Sequence, residues 1–121
     1  SHQPLTVTEI PMKYLCLVYL EAAKLHAVAD RECMACGDSL RQSGKLLAAE
    51  PLYPVETATT VRVRNGTMTV TDGPFAETKE QLAGFYLIDA RDLNDAIQVA
   101  AKIPPAREGS VEVRPVRELV P

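Results

Sequence analysis

What the chain lacks sets the first bounds. No apolar run approaches the length of a membrane-crossing helix: the longest, Tyr14 to Leu20, is far too short and has no leader-like flanks, so no membrane partner is expected. Basic residues are scattered rather than gathered into a stripe, and the formal net charge is -3, which excludes nucleic acid as an expected partner. Cysteine is scarce and odd in number: three residues without framework spacing argue against a secreted disulfide scaffold and for reduced thiols in a cytoplasmic setting. There is no Gly-rich phosphate loop, no Gly-x-Ser-x-Gly elbow and no His-Glu-x-x-His pair, so no cofactor and no metal is expected from the common signatures. Short-period repeats and low-complexity segments are missing as well.

What is there suits one domain. At 121 residues, with 46% hydrophobic and 24% charged, the chain can bury one core without disulfide or metal staples. Residues 1–11 are polar with two prolines and begin Ser1-His2; they read as an appended remnant or disordered tail, and the single domain is expected over 12–121.

Hydrophobic periodicity divides that domain into elements. Lys13 to Leu20 reads as a strand buried on both faces. From about Ala22 to Ser43 the composition is helical, with Ala29, Cys33, Cys36 and Leu40 forming one apolar stripe and Gly44 placed to stop the helix. Leu46 to Ala49 is a short strand ended by Pro51 and Pro54. Thr60–Arg64 and Thr67–Thr71 alternate with period two around Asn65-Gly66, a dipeptide that tolerates two positive φ angles; this predicts a tight hairpin with Val63 opposite Met68 and Val61 opposite Val70. Gly84 to Ile88 is another strand apolar on both faces. Asp92 then caps a helix to Ala101 or Lys102 with Leu93, Ala96, Ile97 and Ala100 inward, and Ser110–Arg114 closes the order as a strand with Val111 and Val113 inward.

Strand, helix, strand, hairpin, strand, helix, strand is the order of an α+β, ferredoxin-like split βαβ sandwich with an inserted β-hairpin. Strands apolar on both sides leave the sheet face opposite the helices uncovered, a patch too large for a comfortable monomer. A second copy packed sheet to sheet covers it, so a homodimer is expected.

The most distinctive stretch is Thr71-Asp72-Gly73-Pro74-Phe75-Ala76-Glu77-Thr78-Lys79-Glu80-Gln81. Asp72 shares strand parity with Met68 and Val70, so its carboxylate points to the apolar side at a sheet rim, where a group held out of water suits proton transfer near neutral pH. The structural alternative is an Asx turn that only shapes the loop. Phe75 either plugs the core or forms a wall on which a ligand stacks. Glu77, Lys79 and Glu80 form a solvated helical turn, or else Glu77 and Lys79 pair across a pocket, with Lys79 as an anion clamp. His26 is the only histidine outside residues 1–11, so an imidazole base within the domain would have to be this one; otherwise it is a surface histidine near a helix start. Tyr19 could lend its hydroxyl to a cleft, or serve as core or dimer interface. Cys33-x-x-Cys36 lies inside an apolar helical stripe, and core thiols fit that setting better than a zinc or redox pair.

On these residues the chain resembles the YCII-related superfamily, and within it the DGPF-domain proteins named for Asp72-Gly73-Pro74-Phe75. The resemblance rests on Met12-Lys13-Tyr14-Leu15, Ala58 to Arg62, Thr71 to Leu82, Gly84 to Ile88 and Gly109 to Pro115. It implies a ferredoxin-like fold assembled as a dimeric α/β barrel, and an activity that is unassigned for most of the family. In the YCII-type branch the resemblance implies a His and Asp pair for acid/base chemistry. Asp72 matches the aspartate, but the histidine position falls at about Cys33, so the pair is broken unless His26 reaches Asp72. Two functions are therefore carried forward. The favoured one is a small-molecule-binding or regulatory module with a cleft near Asp72, using Phe75, Glu77, Lys79 and Tyr19. The alternative is a small-molecule enzyme with Asp72 in general acid/base chemistry and His26 as a weaker catalytic candidate.

Overall fold

The computed structural model describes residues 12–121, and the expectation for residues 1–11 lies outside the described residues. The elements follow the predicted order: β1 (Met12–Leu20), α1 (Asp30–Gln42), β2 (Leu46–Pro51), β3 (Thr59–Arg64), β4 (Thr67–Asp72), β5 (Gln81–Ala90), α2 (Leu93–Ala100) and β6 (Ser110–Pro115). Single 3-10 turns at Ala22–Lys24, Val55–Thr57 and Pro104–Arg107 link them.

Four strands form one antiparallel sheet in the order β2-β5-β1-β6, and β3 pairs with β4 in a separate two-stranded ribbon. This is an α+β architecture compatible with a ferredoxin-like fold. The register puts Tyr14 opposite Ile88 and Cys16 opposite Tyr86, so these side chains share one sheet face. They join Val18, Leu20 and Leu46 from the strands, Leu40 from α1, and Ala96, Val99 and Ala100 from α2 in one core. Each fully buried aliphatic side chain there contributes about 1.5–3 kcal/mol. Both helices thus cover the same face. The alternate residues Leu15, Leu17, Tyr19, Phe85 and Leu87 lie on the opposite face, half-buried and outside that core.

Two sequence expectations are corrected here. The first helix starts at Asp30, not near Ala22: residues 22–24 make only one 3-10 turn, Ala29 is the uncapped flanking residue, and Asp30 and Glu32 place negative charge in the first helical turn, where the helix dipole favours it. Consequently Ala29 is exposed, and the inward stripe is Cys33, Cys36 and Leu40. In α2, Ile97 is 46% exposed and Val99 takes its inward place. The helix is rotated so that Asp95 also turns inward, where Lys45 Nζ donates to both of its carboxylate oxygens at 3.1 and 3.0 Å. Asp92 caps α2 as predicted, accepting from the Asp95 backbone N–H at 2.8 Å.

The last connection depends on a glycine. Gly109 lies directly against β1, and a Cβ there would overlap the carbonyl oxygen of Tyr19. That close approach lets β6 enter the sheet beside β1 immediately after the Pro104–Arg107 turn.

Candidate functional site

The hairpin forms as the sequence implies. Asn65 and Gly66 take φ of 51° and 76°, Val63 pairs with Met68, and Val61 pairs with Val70. β4 runs on to Asp72, so the carboxylate does share the parity of Met68 and Val70. That side, however, is not packed: Val61, Val63, Met68 and Val70 are each more than half exposed, and Asp72 is exposed with them.

Beyond Asp72 the chain reverses at Gly73, whose φ of 97° suits glycine. Its N–H donates to the Ala58 carbonyl at 2.7 Å, and its own carbonyl accepts from Thr60 Oγ1 at 2.8 Å, tying the loop to the base of the hairpin. The rest of the loop is held by side chains of its own end. Gln81 Nε2 donates to the Thr78 and Ala76 carbonyls at 2.9 and 3.3 Å, and Thr78 Oγ1 donates to the Glu80 carbonyl at 2.6 Å. Glu80 Oε1 accepts from Ser110 Oγ at 2.7 Å, fastening the loop to β6.

Between this loop and the Val55–Thr57 turn lies an open cleft of about 400 Å³, lined also by Ala22. Val55 and Glu56 form one wall; Gly73, Pro74, Glu77, Thr78, Lys79 and Gln81 form the other. The volume is within the roughly 300–1,000 Å³ range of small-molecule sites. Lys79 Nζ lies 3.6 Å from Glu21 Oε1, so its charge is partly matched within the chain. Glu56 and Glu77 make no ion pair among the described residues.

The structure separates the sequence candidates. Glu77 and Lys79 line the cleft, but Lys79 pairs with Glu21 rather than across the pocket with Glu77. The helical turn expected over Glu77 to Glu80 is absent; the segment is irregular because its carbonyls are taken by Gln81 and Thr78 side chains. Asp72 stands one residue outside the cleft wall and its carboxylate makes no hydrogen bond or ion pair within the described residues, so the Asx turn is not formed and Gly73 alone sets the reversal. Phe75 is 81% exposed, which corrects its reading as a core plug: the helices already close the inner sheet face, and the loop runs outside it. Tyr19 is half-buried on the outer face of the sheet, opposite Leu82 and Ser110, and does not line the cleft. His26 is exposed after the Ala22–Lys24 turn and makes no bond to Asp72.

Sequence reasoning missed Val55, Glu56 and Gln81. Gln81 had a legible signal, since a polar amide at the start of an apolar strand needs partners, and the preceding loop has the nearest free carbonyls. Glu56 had none, because only tertiary packing of the turn against the loop makes it a wall.

Cys16 is buried in the core, and Cys33 and Cys36 are half-buried on α1. All three are free, and among the described residues no cluster of three metal-ligating side chains exists. Burial pushes Cys16 up to about 11. Cys33 and Cys36 are also raised, first by burial, then by Asp30 and Glu32 beside Cys33 and by Cys33 beside Cys36. The Tyr86 hydroxyl, buried near both of these thiols, is pushed up to about 12.

With fold and cleft in view, comparison with known proteins defines the class. The model of the YCII-related domain matches residues 12–120, and the chain belongs to that family. It is 48% identical over 77 residues to an uncharacterized protein of Rhizobium meliloti (strain 1021), an alignment covering 62% of this chain and 62% of that protein. The match thus spans under two-thirds of the relative's length. Among the described residues no helix is long and apolar enough to cross a membrane.

Proposed function

We propose that this chain is a small-molecule-binding or regulatory module, acting in the cytoplasm as a homodimer, whose ligand enters the cleft between the Gly73–Gln81 loop and the Val55–Thr57 turn. The observation that carries the reading is the cleft itself: about 400 Å³, walled by the most distinctive stretch of the chain, and supplied with a hydroxyl, an amide and charges of both signs. Thr78 and Gln81 are already engaged in holding the loop, so the free polar groups for a ligand are the Glu56 and Glu77 carboxylates and the remaining donor capacity of Lys79.

Several features support the assembly. The outer sheet face of Leu15, Leu17, Tyr19, Phe85 and Leu87 has no helix on it among the described residues, and a ferredoxin-like sheet with one bare apolar face closes by packing against a second copy as a dimeric α/β barrel. Three free thiols fit a reducing compartment. The enzymatic alternative, with Asp72 as general acid or base and His26 as its partner, stands second. Asp72 is exposed in the single chain and sits outside the cleft wall, and His26 makes no bond to it.

Crystals of the full chain soaked with a set of small amines, carboxylates and sugars test this function. Density for a compound bonded to Glu56, Glu77 or Lys79 is the predicted result. Compounds that bind only at other surfaces would refute the assignment.

A further inference from the structure

The hairpin is the least explained element of the protomer. An antiparallel ribbon with one apolar and one polar side is built to bury the apolar side. Here Val61, Val63, Met68 and Val70 form the apolar side at 57%, 60%, 65% and 57% exposure, while Arg62 and Arg64 alternate onto the other. Among the described residues and apart from its base, the ribbon is bonded only to itself: β3 and β4 pair with each other and with no strand of the main sheet. A lone two-stranded hairpin is marginal in water, so a regular six-pair ribbon of this kind needs a surface.

We infer that the apolar side of the β3–β4 hairpin seats on a second copy of this chain, at the margin of its outer sheet face, and that this docking completes the site at Asp72. The inference rests on the homodimer proposed above and adds where the arm goes. Area argues for a second copy over an unrelated protein. The four side chains of the ribbon offer a patch on the order of a few hundred Å², well short of the roughly 800 Å² per partner of a standard stable interface. The same chain carries a second apolar surface outside its core, the half-buried outer sheet face. In a two-fold pair each copy gives an arm and receives one, so both surfaces are used twice. Position in the fold agrees, because the hairpin is inserted between β2 and β5, and β2 is an edge of the sheet from which an arm can extend past its own subunit.

Docking has a consequence for the site. Asp72 shares the face of Val70 and Met68, and Gly73 beside it is already part of the cleft wall. Seating the ribbon therefore takes the Asp72 carboxylate from bulk water to a subunit boundary next to the cleft. The site seen in one chain is incomplete without the second copy.

The test uses dimers of the full chain mixed from differently isotope-labelled copies. Intermolecular NOEs from the methyls of Val61, Val63 and Val70 to protons of the other copy are the predicted result; a dimer in which these methyls show contacts only within their own chain overturns the inference while leaving the dimer intact. A Val61→Thr, Val63→Thr, Val70→Thr variant keeps β-branched residues at surface positions of the single chain. It should weaken dimerisation on the order of 100-fold, and a wild-type dissociation constant for it would equally overturn the docking. If the wild-type chain is a monomer at micromolar concentration, the homodimer reading itself fails and the inference falls with it.

Discussion

Asp95 shows how a single carboxylate ties elements together. It accepts from the Arg91 backbone N–H at 3.1 Å and from Lys45 Nζ, joining the start of β2 to the first turn of α2. The Arg91 N–H first, and the Lys45 ammonium second, hold its carboxyl below the usual aspartate range. A group whose value is lowered on folding adds stability that is present above the unfolded value and is lost as the pH falls through the folded one. Asp95→Ala is expected to cost about 1–3 kcal/mol at neutral pH by denaturant unfolding. The difference from wild type should fade as the pH drops below the ordinary aspartate value near 3.8. The thiols give a second residue-scale prediction. Because only the thiolate is nucleophilic, iodoacetamide at pH 7 should leave buried Cys16 unmodified in the folded protein and alkylate all three cysteines after denaturation, read by mass spectrometry.

At the scale of elements, legibility followed local chemistry. The turn and register of the hairpin were readable because Asn65-Gly66 and the alternating Val and Thr run carry both in sequence, while each strand runs one residue further, to Thr59 and Asp72. Asn65→Ala, forcing alanine to a φ of 51°, should cost about 1–2 kcal/mol of hairpin order, seen as faster amide exchange across Thr59–Asp72 with little change in β1 or β5. The α2 cap was readable because Asp92 precedes an apolar run; the rotation that exposes Ile97 was not, since it follows from the Lys45–Asp95 pair across fifty residues of sequence. The α1 start was misplaced because an alanine-rich segment reads as helical although its only regular structure is one 3-10 turn. In the loop, Gly73 and the charged residues were legible as a turn and a wet surface. The outward aim of Phe75 and the wall at Glu56 depend on where the loop lies against the rest of the fold, which no local pattern encodes. Gly109 belongs here too: Gly109→Ala should displace β6 from β1 and lower the melting temperature by several degrees, on the order of 2 kcal/mol or more, because the added methyl meets backbone that cannot yield.

Among the described residues, the whole molecule presents a sheet with both helices on one face and half-buried apolar side chains on the other, an arm with an exposed apolar side, and a cleft beside the root of that arm. The apolar outer face is legible in two strands apolar on both sides, and its residues lie half-buried outside the helix-covered core. The homodimer proposed above would use these surfaces. Sedimentation velocity should give twice the mass of one chain at micromolar concentration, and Leu15→Lys with Leu87→Lys should return it to a monomer. One wall of the cleft is the distinctive loop after Asp72, and the other comes from a turn that the sequence leaves blank. Backbone amide shift mapping of the full chain against the same amines, carboxylates and sugars tests ligand binding at that cleft. Saturable shifts concentrated at Val55, Glu56, Gly73 and the Glu77–Gln81 segment are expected for at least one compound class. Saturable shifts that avoid these residues, or none for any compound, would contradict it.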